Sequence, residues 1–173
     1  MMKFLFGLII GIGLLLLAEY LFVARGGLFM GTKGDPLPME RLLTGKAIDA
    51  SIGKSAQDQS PLPADETNLL AGAHVYLQNC AGCHGKLDQQ NSAMATRFYP
   101  HPPQLLLPGK GVTDDPVGTT HWVVKNGIRF SAMPSSEGKL TDDELWQVSL
   151  FLHDADKLPA SVQDALRQPP PGR

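Results

Sequence analysis

The sequence predicts an all-α domain carried behind one membrane-spanning helix. Three observations predict it. The opening stretch "MMKFLFGLIIGIGLLLLAEYLFV" is apolar, with Glu19 as the one charge between Phe4 and Val23. Two later stretches, at 65–79 and 141–156, carry apolar residues at helical spacing behind residues suited to cap a helix. No stretch shows the alternation of apolar and polar residues that marks a half-buried strand.

At 173 residues the chain has room for one modest domain and an appendage. Its formal net charge of -2 gives no field that would draw in nucleic acid or another polyanion. Twenty helical residues reach about 30 Å, the thickness of a bilayer's hydrocarbon core. Residues 1–25 therefore read as a transmembrane anchor in contact with lipid. A cleaved signal peptide is the rival, since Ala24 and Gly26 offer a small-x-small site. Its apolar core would run only about 7–15 residues, however, and this one is longer. A helix apolar all round is also more than a small domain can wrap. Lys3 and the terminal amine balance Arg25 and Lys33, so the charges do not orient the span. Glu19 lies one turn from its end and snorkels to the interface or meets a partner subunit. Gly7 and Gly11 form a G-x-x-x-G pair that can seat another helix.

Residues 26–64 read as a tether. "ARGGLFMGTKGDPLP" is rich in Gly and Pro. Within 38–56, Leu42, Leu43, Ala47, Ile48 and Ile52 suggest a short amphipathic helix, packed on the domain or lying on the membrane. Packing on the domain is the expectation. The folded domain spans 65–168. Its first helix, capped by Asp65 or Thr67, carries Leu69, Ala73, Tyr76 and Leu77 on one face. From Gly85 to Gly118 periodicity is weak and prolines cluster at 100, 102, 103, 108 and 116. A loop that long suits the wrapping of a large flat group. Residues 120–127 form a short helix closed by Gly127. Thr141 and Glu144 make a capping box for the clearest helix, with Leu145, Val148, Phe151 and Leu152 as its apolar face. "PASVQDALRQ" adds a last helix, and 169–173 is a flexible tail.

Both cysteines fall in "NCAGCHG", residues 79–85. A thioredoxin-like redox pair would follow a strand, and none is visible. A structural zinc site would want a second ligand pair. No second C-x-x-C exists, and His74, His101, His121 and His153 are scattered. The remaining reading is covalent attachment of a c-type haem. On a helical turn Cys80, Cys83 and His84 share a face. Two thiols there can each add to a vinyl group, and His84 presents its imidazole to the iron. An electron-transferring haem then needs a sixth ligand on a downstream loop. Met133, in "GIRFSAMPSSEG", sits before Pro134 between two helices with no evident core duty. Met94 is its main rival, followed by His101 and His121.

"AGAHVYLQNCAGCHG", "VKNGIRFSAMP" and "LTDDELWQVSLFL" occur in that order between about 65 and 156. In this the sequence resembles class I c-type cytochromes, in particular the domains of cbb3-oxidase subunit III and related small membrane-anchored monohaem cytochromes. The resemblance implies a class I cytochrome c fold whose first and last helices cross. Gly72 and Tyr76 match the family's first helix, and Leu145 and Trp146 its last. It implies one haem c held by Cys80, Cys83, His84 and Met133. It also implies that a proline carbonyl, of Pro102 or Pro103, accepts the other ring N–H of His84. The haem domain would face the periplasm from a bacterial cytoplasmic membrane. The function implied is a tethered one-electron carrier between respiratory partners, and not an enzyme in its own right. The alternatives are a fixed subunit of a respiratory complex, or a haem sensor or enzyme, against which Met133 argues.

Overall fold

The computed structural model describes residues 1–28, 30–87, 92–93, 95–107, 109 and 111–168. Met94, Pro108 and the 169–173 tail lie outside the described residues. Among the described residues there are seven α-helices and no strand, only an isolated bridge between Glu137 and Leu140. The helices are α1 (Met2–Ala24), α2 (Glu40–Ile52), α3 (Glu66–Asn79), α4 (Ala81–His84), α5 (Val117–Asn126), α6 (Asp142–His153) and α7 (Ala160–Arg167). The expected all-α fold is the fold observed. The chain divides into two compact units, 1–40 and 41–173.

In the first unit α1 is long and apolar enough to cross a membrane, with a mean hydropathy of 2.3 over its most apolar stretch. None of its residues is buried. Gly7 and Gly11 lie open, with nothing near where a side chain would stand.

In the second unit the helix expected within 38–56 forms as α2 and continues as a 3-10 turn, Gly53–Gln57. Its packing differs from the expectation. Leu42 and Leu43 are 56% and 60% exposed, and Ile52 is the one buried residue of α2. At about 100° per residue the apolar positions fall all round the helix, so there is no single stripe to bury. The contact is made by the 3-10 turn instead, which packs on α5. The carbonyls of Ser55, Ala56 and Asp58 close over Gly118, where any side chain would strike backbone. The last part of the 26–64 segment is thus built into the domain.

The core lies between α3 and α6. Asp65 caps α3, accepting from Asn68 N–H at 2.9 Å. The capping box of α6 is complete: Thr141 N–H donates to Glu144 Oε2 at 2.8 Å, and Glu144 N–H to Thr141 Oγ1 at 3.2 Å. The two helices meet at Gly72. A Cβ there would run into the Gln147 carbonyl and lie 2.8 Å from Phe151 Cβ, so only glycine allows the approach. One turn on, the Tyr76 and Phe151 rings pack at 5.5 Å between centroids. Tyr76, Leu145, Val148 and Phe151 are fully buried, each apolar side chain worth about 1.5–3 kcal/mol of burial. Trp146 does not join this crossing. It turns to α5 and stacks on His121, with centroids 3.7 Å apart and planes 5° from parallel. α7 covers α3 with Val162 and Leu166, and Ser161 Oγ donates to Glu66 Oε1.

Candidate functional site

The C-x-x-C-H stretch is one helical turn set at the end of α3. Cys80 joins the two helices, its N–H bonded to the Tyr76 carbonyl at 2.8 Å. Its own carbonyl accepts from both Cys83 N–H, at 3.0 Å, and His84 N–H, at 2.9 Å. Residues 80, 83 and 84 therefore share a face, as the spacing predicted. Gly85 ends the turn at φ +81°, a conformation that favours glycine.

His84 is fixed from three directions. Its Nδ1 lies 2.9 Å from the Pro103 carbonyl, which settles the choice between Pro102 and Pro103. A carbonyl only accepts, so Nδ1 carries the proton and the lone pair falls on Nε2. The His84 carbonyl accepts from Leu105 N–H at 3.4 Å. The Tyr76 hydroxyl donates to the carbonyls of Gly85, at 2.7 Å, and His84, at 3.2 Å. Burial holds the His84 imidazole below its ordinary pKa, against the pull of the Pro103 hydrogen bond. Burial also pushes the Cys80 thiol up to about 11, with Lys139 drawing it down and Cys83 adding to the rise. The Tyr76 hydroxyl rises too, by burial first and then Cys80, and so stays a donor.

Met133 stands on a loop closed by its own hydrogen bonds. Ile128 N–H donates to the Met133 carbonyl at 3.1 Å, and Met133 N–H to Ser131 Oγ at 3.1 Å. Ser131 Oγ donates in turn to the Ile128 carbonyl at 2.8 Å. The loop leaves α5 at Gly127, φ +70°, where a Cβ would lie 2.6 Å from Pro134 C, 2.6 Å from Ser135 N and 2.8 Å from the Met133 carbonyl oxygen. At its tip Phe130 takes φ +61° and is 90% exposed. Met133 is half-buried and packs on the same apolar cluster as Cys80.

The other candidates are engaged or lie apart. His121 is taken up by its stack on Trp146. His101 is exposed, His74 stands half-buried on α3, and His153 sets Nδ1 3.1 Å from the Asp115 carbonyl. No group of three or more His, Cys, Asp or Glu side chains is poised for a metal ion among the described residues. The Tyr76 hydroxyl escaped the sequence reading, which placed Tyr76 on the helix face alone. The available signal was a phenol on an apolar face close before the motif, since a buried hydroxyl needs a partner.

The family described as cytochrome c oxidase, cbb3-type, subunit III matches residues 67–152. Residues 67–152 are a class I c-type cytochrome domain. No curated protein and no solved structure matches the chain. The match takes in the cysteine motif, the Met133 loop and both helices that meet at Gly72. A cytochrome domain of this kind carries covalently attached haem c and works by haem-based electron transfer. The donor set of this one suits that group: two thiols and an imidazole on one turn, with the ring's tautomer fixed by Pro103.

Proposed function

We propose that the chain is a membrane-tethered one-electron carrier. Cys80 and Cys83 hold the haem through thioethers, and His84 and Met133 are its axial ligands. Haem supplies a ferrous/ferric couple, and a thioether ligand in a buried setting favours the ferrous state. The chain's own part is positional. The Cys80 turn keeps both sulfurs and the imidazole on one face, Pro103 orients the ring, and the closed loop carries Met133. Residues 1–25 anchor the chain in a bacterial cytoplasmic membrane, with the domain on the periplasmic side. The residues that follow tether it and raise its local concentration near membrane-bound redox partners.

The observation that carries this reading is that Cys80 and Met133 border one apolar cluster, although 53 positions separate them in sequence. The test is an absorption spectrum of the purified protein, oxidised and reduced, with and without carbon monoxide. The wild type gives a c-type spectrum indifferent to carbon monoxide, and Met133→Ala gives one that shifts with it. Identical behaviour of the two proteins would assign the sixth position to another residue.

A second reading, a fixed subunit of an oxidase, is favoured by the family's own description. Gentle solubilisation separates the two: a carrier elutes alone, and a subunit elutes with its complex.

A further inference from the structure

We propose that Tyr76 is the positioning residue of the proximal histidine, acting through its hydroxyl rather than its ring. The proposal rests on the haem reading above. Tyr76 is wholly buried, and its ring already has its packing partner in Phe151. A phenylalanine would fill that place equally well. The hydroxyl does something a phenyl cannot. It spans from the middle of the α3–α6 contact to two successive carbonyls, those of His84 and Gly85, just where α4 ends and glycine turns the chain.

Those two carbonyls need a donor. α4 is a single turn, and the last carbonyls of a helix have no partner within it. The His84 carbonyl also accepts from Leu105 N–H, at a longer 3.4 Å. The 2.7 Å bond to the Gly85 carbonyl is shorter than the 2.9 Å contact of His84 Nδ1 with Pro103. With it in place the backbone of residues 84 and 85 is fixed to the domain's best-packed contact. The direction of the His84 ring toward Pro103 is then set from both ends, by backbone and by Nδ1.

The test compares Tyr76→Phe with Phe151→Leu in the full-length, haem-loaded protein. The first removes only the donor, while the second loosens the packing and leaves the hydroxyl. In Tyr76→Phe the His84 ring N–H, followed by NMR in the reduced protein, exchanges with deuterium about tenfold faster, the ratio a lost hydrogen bond of ordinary strength gives. The reduction potential moves upward, because a looser Nδ1–H···O contact makes the imidazole a poorer donor to iron. Phe151→Leu lowers the unfolding midpoint more, yet leaves both His84 signals in place. If Tyr76→Phe yields no haem-loaded protein while Phe151→Leu does, the hydroxyl is needed to close the motif, and the proposal stands. If Tyr76→Phe matches the wild type in exchange and potential, or the two variants fail alike, Tyr76 only packs and the proposal falls. A wild type without a c-type spectrum would sink the haem reading itself, a separate outcome.

Discussion

The two sides of the site are held by different means. The His84 side is wired beyond its own turn: to the preceding helix α3 through Tyr76, and to the more distant proline-rich segment through Pro103 and Leu105. The Met133 side is held mostly by itself. Its bonds run between residues 128 and 133, and the following residues are stapled to the end of α5, where the Lys125 carbonyl accepts from Ser135 Oγ at 2.7 Å. Ligands set by tertiary contacts move only when the core moves. A loop with few buried apolar contacts opens locally at lower cost. On the proposed ligation, the Met133 bond to iron should therefore exchange far more readily than the His84 bond.

Replacing both Cys80 and Cys83 with Ala tests the His84 side most severely. All covalent haem should be lost, read as a blank haem-stained denaturing gel. Retained stain would end the motif reading.

The glycines sharpen the comparison. Gly127→Ala forces a methyl against the backbone of Met133, Pro134 and Ser135 at a left-handed position. It should cost about 2–4 kcal/mol, from strain plus overpacking, and weaken the far-red absorption band expected of the proposed Met133–iron bond. Gly85→Ala is also left-handed, but its methyl meets the amide of Gln104, the far end of a flexible side chain. About 1–2 kcal/mol is expected, from strain alone, with the band kept. Urea midpoints and spectra give the order, and the reverse order would break the contrast.

The smallest effect comes from acid. His121 on α5 is held below its ordinary pKa by burial and by Lys125, against Asp58 and Asp142. The folded state then binds this proton less readily than the unfolded chain. Its contribution is intact above the unfolded value of about 6.5 and is lost as pH falls from there toward the folded value. His121→Gln should flatten that part of the stability–pH curve. An unchanged slope would mean that another group titrates there.

Much of this was legible because it is local. The Thr141–Glu144 capping box, Asp65 at the start of α3 and the turn at Cys80–His84 are set by residues three or four apart. The start of α5 was missed by three residues, because Pro116, at its N-cap, was read as part of the loop. What depends on distant partners was harder. Nothing near Trp146 announces that it stacks on His121 rather than joining the crossing. Nothing around Gly118 announces the carbonyls of 55–58 above it. The choice of Pro103 over Pro102 is likewise a matter of how a loop folds back.

The close approach at Gly72 has a consequence for how the molecule is made. Synthesis runs from the N-terminus, so Cys80 and Cys83 emerge several seconds before Gln147 and Phe151, at about 5–20 residues per second. Until α6 arrives, α3 lacks the surface that buries its apolar face. Cys80 then belongs to an open chain, where its thiol is not yet buried. In the folded domain burial raises the Cys80 thiol to about 11 and leaves it a poor nucleophile at neutral pH. The Cys80 sulfur is thus more reactive before the domain folds than after.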